Sequence, residues 1–203
     1  TGGRVNVPMV IRTKFATRAG GGPSHSSCNH GAFIHFPGLK IIMPTTPADA
    51  KGLLLSAIRD PNPVLCFESH YLYGVRGPVP EGEYLVPIGK AVVRRAGKDL
   101  TIVTCGGMVL KADAAADLLK QKGIDIEIVD LRSLAPLDKE TILGSVAKTK
   151  RAIVLDEGPM IGGLSAEIAA MIQENLFSDL KGPVVRIGAQ PIPPPHSPPL
   201  VDA

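Results

Sequence analysis

The chain contains no tryptophan, and only 4% of its residues are aromatic. It has three cysteines, Cys28, Cys66 and Cys105, which lie far apart and do not have the spacing of metal ligands. An odd number of separated cysteines argues against a disulfide framework and favours a reducing compartment. Each cysteine is therefore expected to be a small, buried hydrophobic residue.

Long hydrophobic runs and a large excess of charge are also missing from the sequence. No segment approaches the roughly 20 apolar residues that span a bilayer, and residues 1–4 carry no apolar signal core. The formal net charge is +3, which is too small to predict nucleic acid or an anionic membrane as a partner. Hydrophobic residues make up 44% of the chain and charged residues 20%, as is typical of a globular protein.

Short apolar runs alternate with amphipathic stretches, which predicts an α/β fold of two doubly wound units. In the first unit, a capping box of Thr46 and Asp49 starts a predicted helix with Pro47 in its first position. The prolines after Asp60 end that helix, and the strand–helix–strand order implies parallel pairing. The predicted strands of this unit cover residues 7–12, 38–43 and 64–67.

Glycine and proline interrupt the pattern between residues 69 and 87, which favours a linker. A second alternating series follows, and the proline-rich residues 191–199 after it are expected to be extended. The predicted strands of the second series cover residues 100–105, 124–131, 152–155 and 184–187, and its predicted helices cover 108–122, 139–148 and 164–176.

The segment Gly20-Gly21-Gly22-Pro23-Ser24-His25 is the strongest candidate for a functional site. It follows a predicted strand, and in open α/β sheets the loops beyond the carboxyl ends of the strands form the ligand crevice. Glycine allows the backbone to approach a ligand closely, and a histidine at a predicted helix start can transfer a proton near neutral pH. A flexible loop with a solvated histidine is the alternative interpretation.

The other histidines and loops carry weaker signals. His30 and His35 do not share a helical face with His25, which argues against a metal cluster, and His35 is expected to be a packed structural residue. The loop from Glu157 to Gly163 lacks a Gly-Lys-Ser/Thr sequence, so tight packing or an interface is favoured over phosphate binding. Asp60 and the preceding helix end can bind a monovalent cation, or form a plain turn.

Four blocks of the sequence resemble, in the same order, the beta subunits of thiamine-diphosphate-dependent 2-oxo acid dehydrogenases, which act on pyruvate, branched-chain 2-oxo acids or acetoin. The resemblance runs from Gly2 to about Pro195. The blocks are PGLKIIMPTTPADAKGLLLSAIRDPNPVLCFE, GKAVVRRAGKDLTIVTCGG, IEIVDLRSLAPLDKETILGSVAKT and VLDEGPMIGGLSAEIAA.

The resemblance implies two domains of a transketolase-like α/β fold. Residues 1–75 correspond to the latter part of a pyrimidine-binding domain, 76–87 to a linker and 88–203 to a transketolase C-terminal domain. It also implies that the chain is incomplete at both ends. The expected missing parts are an earlier segment, with the glutamate that activates the cofactor, and a final helix.

The resemblance also implies site residues. His25 corresponds to the family's active-site histidine, which handles the oxo-acid intermediate and the incoming lipoyl group. That motif usually reads His-Ser-Gln; here Ser26 matches, Ser27 replaces glutamine, and Cys28-Asn29-His30-Gly31 departs from the usual pattern. Five further positions correspond to a structural potassium site built mainly from carbonyl oxygens: Met9, Ala57, Ile58, Asp60 and Asn62.

The implied function is that of a pyruvate dehydrogenase (acetyl-transferring) beta subunit, which takes part in oxidative decarboxylation of pyruvate with acyl transfer to lipoyl. Thiamine diphosphate would be shared with an alpha subunit, which holds magnesium and the diphosphate in an alpha2beta2 heterotetramer docked on a lipoyl acyltransferase core. Two alternatives stay open: an acetoin or branched-chain 2-oxo acid dehydrogenase beta subunit, and a catalytically silent assembly module. The implied location is the bacterial cytoplasm, or the mitochondrial matrix or plastid of a eukaryote.

Overall fold

A computed structural model describes residues 4–15 and 20–201, which form one β-sheet of four strands and one of five, with helices packed on them. The strands are β1 (Val10–Phe15), β2 (Lys40–Ile42), β3 (Val64–Ser69), β4 (Val92–Arg95), β5 (Leu100–Thr104), β6 (Ile126–Asp130), β7 (Ser133–Ala135), β8 (Ala152–Pro159) and β9 (Val185–Ala189). The helices are α1 (Gly22–Ser26), α2 (His30–Ile34), α3 (Pro47–Ile58), α4 (Met108–Lys120), α5 (Lys139–Thr149), α6 (Leu164–Leu176) and α7 (Pro198–Val201).

The first sheet has the strand order β1-β3-β2-β7. β1 and β2 both pair in parallel with β3, as the sequence predicts. β7 pairs antiparallel with β2, where Ile41 lies opposite Ala135 and Ile42 opposite Ser133. Residues far along the chain therefore complete the first sheet. The sequence did not predict β7, because a strand of three residues is too short to show a hydrophobic period.

The second sheet has the strand order β4-β6-β5-β8-β9. Its last four strands are parallel, and β4, which was not predicted, pairs antiparallel with β6. α4 packs on one face of the sheet, and α5 and α6 pack on the other. This arrangement confirms the predicted doubly wound α/β fold for the second unit.

Neighbouring residues of β5 face different cores. Ile102 packs against α4, whereas Val103 belongs to the layer covered by α5 and α6. That second layer continues without a break into the first sheet, where it includes Phe15, Ile41 and Phe67. The two units therefore share one hydrophobic core.

The segment between the units is docked on α3 although residues 76–87 contain no helix or strand. The Tyr84 hydroxyl donates a hydrogen bond to the carbonyl of Ala48 (2.7 Å), and the Val86 N–H donates to the carbonyl of Gly52 (3.2 Å). A Cβ at Gly52 would lie 2.5 Å from a Val86 methyl, so glycine is needed for this close approach. The division of the chain into two domains and a linker stays a prediction.

The cap of α3 is the one that the sequence predicts. The Thr46 side chain accepts a hydrogen bond from the Asp49 N–H (3.0 Å), and its hydroxyl donates to the Asp49 carboxylate (2.6 Å). The helix ends at Ile58, ahead of the proline-rich turn. Several bounds differ from the prediction: β1 begins three residues later, β2 and β6 are shorter, and β8 extends to Pro159. α7 interrupts the tail that was expected to be extended. None of the described helices is both long and apolar enough to cross a membrane.

Candidate active site

His25 is the fourth of the five residues of α1, the element that follows β1 in the chain, so it does not lie at a helix start as the sequence suggested. Gly20 and Gly22 have φ values of +68° and +64°, which favour glycine. A Cβ at Gly21 would lie 2.8 Å from the Cβ of His25. The Gly21 N–H donates a hydrogen bond to the buried Ser26 hydroxyl (3.0 Å). The glycine run therefore fixes the backbone beneath His25.

The His25 side chain is exposed at the rim of a cavity of about 510 Å³ on one face of the first sheet. The cavity has aromatic walls: Phe15 and Phe67 come from the sheet and Phe33 from α2. The ring centroids of Phe15 and Phe67 are 6.2 Å apart, and those of Phe33 and Phe67 are 5.8 Å apart. Among the described residues that line the cavity, Lys14 and His25 can carry positive charge and none is a carboxylate.

The lining of this cavity fits one end of thiamine diphosphate. An apolar cavity with flat aromatic walls and a histidine at its rim suits a heteroaromatic ring such as the cofactor's pyrimidine. Magnesium needs oxygen ligands, whereas a diphosphate needs cations or N–H donors. In the described part of the chain no group of three His, Cys, Asp or Glu side chains could hold a metal ion. The lining of this cavity therefore suits an aromatic ring such as the pyrimidine, and the described residues offer no group that would hold magnesium.

A second polar cluster lies behind the cavity, and the sequence did not single it out. The imidazole of His30, which is 1% exposed, has Nδ1 at 3.1 Å from the Cys28 sulfur and Nε2 at 3.1 Å from the Asp156 carboxylate. The expectation for His35 was wrong, because His35 is exposed. Five helical residues separate the two histidines by about 140° around the axis. His30 therefore faces the core, whereas His35 faces solvent beside Phe36.

Two known protein families match successive parts of the chain. Residues 89–203 match the family described as transketolase, C-terminal domain, and residues 1–75 match transketolase, pyrimidine binding domain. The chain belongs to the transketolase family. The second match covers the part of this transketolase-family chain that carries His25 and the aromatic cavity walls.

Several curated relatives are similar over nearly the whole chain. It is 43% identical over 99% of its length to the acetoin:2,6-dichlorophenolindophenol oxidoreductase subunit beta of Cupriavidus necator, covering 60% of that protein. It is 44% identical to the mitochondrial pyruvate dehydrogenase E1 component subunit beta-1 of Arabidopsis thaliana, with 96% of this chain and 55% of the relative covered. It is also 44% identical to the pyruvate dehydrogenase E1 component subunit beta of Bacillus subtilis, with 93% and 58% covered. The chain thus spans 55 to 60% of the length of these relatives.

A solved structure supports the same fold. The structure titled "Split gene transketolase, inactive beta4 tetramer" has a TM-score of 0.76 and 26% sequence identity to this chain. The similarity covers 97% of this chain and 61% of the other. The arrangement of two sheets described above is therefore that of the transketolase family.

In this transketolase-family chain the five positions predicted for potassium lie in two neighbouring segments, the entry to β1 and the end of α3 with the turn that follows it. The Met9 carbonyl accepts a hydrogen bond from the Val64 N–H (2.9 Å). The Asp60 carboxylate pairs with the Lys40 ammonium and accepts from the Asn62 N–H (2.9 Å). A carbonyl oxygen has a second lone pair, so the Met9 carbonyl can still act as a ligand, and the potassium site stays a prediction. The positions are Met9, Ala57, Ile58, Asp60 and Asn62.

The glycine-rich loop before α6 serves packing. A Cβ at Gly163 would lie 2.0 Å from the Pro159 carbonyl oxygen, so no other residue fits the loop in this form. A Cβ at Gly31 would lie 3.3 Å from the Cα of Gly163. These close approaches bring α2 against the start of α6, which supports the packing interpretation of the loop over phosphate binding.

Proposed function

We propose that this chain is part of the beta subunit of a thiamine-diphosphate-dependent pyruvate dehydrogenase, which decarboxylates pyruvate and passes the acetyl group to lipoyl. The main support is the position of His25, exposed at the rim of an aromatic-walled cavity on the face of the parallel strands β1 and β3. The similarity to proteins named pyruvate dehydrogenase E1 beta subunits, at 44% identity, supports the choice of substrate.

The proposed mechanism divides the chemistry between the cofactor and the protein. Thiamine diphosphate, when bound, supplies the carbon that adds to the oxo group and accepts the electrons of decarboxylation. Phe15, Phe33 and Phe67 exclude water and hold the pyrimidine ring. His25 holds or gives up a proton at an imidazole nitrogen as charge changes on the substrate oxygen, which typically contributes about 10²- to 10⁴-fold in rate. The Lys14 ammonium attracts the carboxylate of the oxo acid.

We also propose that the site is completed by an alpha subunit. The His25 side chain of the cavity lining is exposed, and the described lining has no carboxylates for magnesium. An alpha subunit would bring the diphosphate with its magnesium and close the cavity in an alpha2beta2 assembly, which docks on a lipoyl acyltransferase core. The structural relative named an inactive beta4 tetramer is consistent with a beta chain that needs a partner.

Thiamine diphosphate titration tests this shared site. The full-length chain is titrated alone and mixed with its alpha subunit, and binding is followed by calorimetry. We expect saturable binding only in the mixture, because the chain alone holds one end of the cofactor. Absence of binding in both samples would support the silent assembly module, and tight binding to the beta chain alone would contradict the shared site.

The His25→Ala variant of the complete complex tests the role of His25. We expect the variant to bind thiamine diphosphate normally and to transfer acetyl to lipoamide about 10²- to 10⁴-fold more slowly. His35→Ala is the matched control, since His35 is exposed and lies outside the cavity. Unchanged acyl transfer in His25→Ala would remove His25 from the mechanism.

Acetoin is the second candidate substrate. Two relatives named acetoin:2,6-dichlorophenolindophenol oxidoreductase subunit beta, from Cupriavidus necator and Bacillus subtilis, are 43% and 41% identical to this chain. Reduction of 2,6-dichlorophenolindophenol by the reconstituted complex, with pyruvate or acetoin as the donor, compares the two substrates directly. A higher kcat/KM for acetoin would replace pyruvate in the proposal and keep the role of His25.

A further inference from the structure

The cluster of Cys28, His30 and Asp156 joins the two units of the fold at a buried point. His30 is the first residue of α2, in the first unit, and Asp156 lies on β8, in the second sheet. Both carboxylate oxygens of Asp156 lie 3.1 Å from Nε2 of His30, and Oδ1 also accepts a hydrogen bond from the Gly158 N–H (3.2 Å). The hydrogen bond from Gly158 therefore helps to fix the orientation of the Asp156 carboxylate towards the imidazole of His30.

Cys28, His30 and Asp156 are arranged like the cysteine, histidine and carboxylate of a nucleophilic site. The pKa of the Cys28 thiol, however, does not suit a nucleophile. Burial, followed by the charges of Asp156 and Glu157, raises the pKa of the Cys28 thiol well above its ordinary value. A thiol that stays protonated can donate to Nδ1 of His30, and the imidazole can then donate its Nε2–H to Asp156. The three groups do not form a metal site either, because the sulfur and the carboxylate lie at opposite nitrogens of the ring.

Space around the imidazole is also tight. A Cβ at Gly158 would lie 3.0 Å from Cε1 of His30, so the strand passes directly against the ring. The rings of Phe15 and Phe67, which line the candidate cavity, have centroids 6.2 and 6.1 Å from that of His30. His30 therefore contacts Phe15 and Phe67, two of the aromatic residues that line the cavity together with His25.

The position of His30 in the chain connects it to His25. α1 carries His25, and three residues separate it from α2. Both helices have five residues, which is too short for a helix to be stable without tertiary contacts. Neither has a side-chain N-terminal cap, so contacts with the rest of the fold must fix their position.

We propose that His30 is a positioning residue, which through its hydrogen bond to Asp156 fixes the α1–α2 segment, and with it His25, on the second unit. This inference rests on the proposed role of His25. Its structural part, the attachment of the segment, does not depend on the reaction and can be measured without cofactor or substrate.

Hydrogen exchange of the full-length chain measures that attachment. A buried hydrogen bond to a charged group contributes about 1.5–3 kcal/mol, and 1.4 kcal/mol is a factor of ten. In Asp156→Ala we therefore expect amides 22–34 to exchange about 10- to 100-fold faster than in the wild type, with α4 unchanged. Asp156→Asn keeps an acceptor and the size of the side chain, so it should fold and show a smaller increase. His35→Ala is the control and should exchange like the wild type.

Turnover of the complex tests the link to His25. We expect Asp156→Asn to lower kcat with little change in KM for the oxo acid, because the cavity walls remain while His25 loses its fixed position. Added to His25→Ala, the same substitution should lower kcat no further. Unchanged exchange in Asp156→Asn and Asp156→Ala, or faster exchange with wild-type kcat, would overturn the inference. An inactive wild-type complex would instead contradict the proposed function and leave the exchange result to decide the attachment.

Discussion

Arg94 lies at the centre of a buried ion network that joins α3 to the second sheet, and its removal should destabilise the fold severely. Its guanidinium pairs with Asp49 of α3, and its Nε donates to the Asp130 carboxylate at the end of β6 (2.9 Å). Asp130 is 0% exposed and Asp49 is 6% exposed. Without Arg94 both carboxylates would lose their strongest positive partner while staying out of water.

The expected cost of Arg94→Met follows from this burial. Removal of one partner of a buried ion pair costs about 3–5 kcal/mol. Arg132 still contacts Asp49 at 3.3 Å, and the Arg94 side chain is 23% exposed, so the lower end of that range, about 3 kcal/mol, applies. The neighbouring Arg95 is the matched control, because its partner Asp117 is 72% exposed. Arg95→Met should therefore cost about 0–1 kcal/mol.

Urea unfolding of the two full-length variants, followed by circular dichroism at pH 7 and pH 5, measures how much each substitution lowers the free energy of unfolding. Burial raises the pKa of Asp130 above its ordinary value, and Arg94 opposes that shift. Without Arg94 the pKa rises further, so the folded variant takes up protons at a higher pH than the folded wild type does. The difference in the free energy of unfolding between Arg94→Met and the wild type should therefore become smaller as the pH falls from 7 to 5. This reasoning would be refuted if Arg94→Met and Arg95→Met lowered the free energy of unfolding equally. It would also be refuted if Arg94→Met were further from the wild type at pH 5 than at pH 7.

Four further predictions concern local features of the fold. Thr46→Ala should lower the free energy of unfolding by about 1 kcal/mol through loss of the α3 cap, with Thr46→Ser close to the wild type in the same urea assay. Gly163→Ala, whose Cβ would meet the Pro159 carbonyl oxygen at 2.0 Å, should cost more than about 3 kcal/mol or prevent folding. By contrast, Gly144→Ala, at an exposed helical site with nothing within 4 Å, should stabilise by about 0.5–1 kcal/mol. Burial raises the pKa of all three cysteine thiols, that of Cys66 to about 12, so iodoacetamide at pH 8 should label them only after unfolding.

The elements that the sequence predicts well are those with local signals. α3 has its cap, its proline and its terminating turn within the sequence, and α6 runs over the predicted residues Leu164–Leu176. The burial of the three cysteines was also predicted correctly, because separated cysteines behave as small hydrophobic residues. β4 and β7 were missed, since each is a short strand at a sheet edge whose place is decided by its partner.

The candidate site shows the same limit. The glycine run and the family resemblance led to His25, and the structure places it beside the cavity. The pairing of His30 with Asp156 joins residues 126 positions apart, and no local pattern indicates such a pair. Its one sequence signal was the departure of residues 28–31 from the family pattern, which located an unusual segment without giving its partner.

The structure also shows how the two parts of the chain that match different families pack against each other. The Ile42 side chain is fully buried, and β2 obtains its second neighbour from β7, which belongs to the part of the chain that matches the C-terminal family. Phe15 and Val103 belong to one core although they come from different sheets. Among the described residues, polar contacts cross the same boundary, including those of Arg94 and Arg132 with Asp49 and that of His30 with Asp156. A change at β8 can therefore reach His25 through packed and hydrogen-bonded groups, without any contact between β8 and the cavity itself.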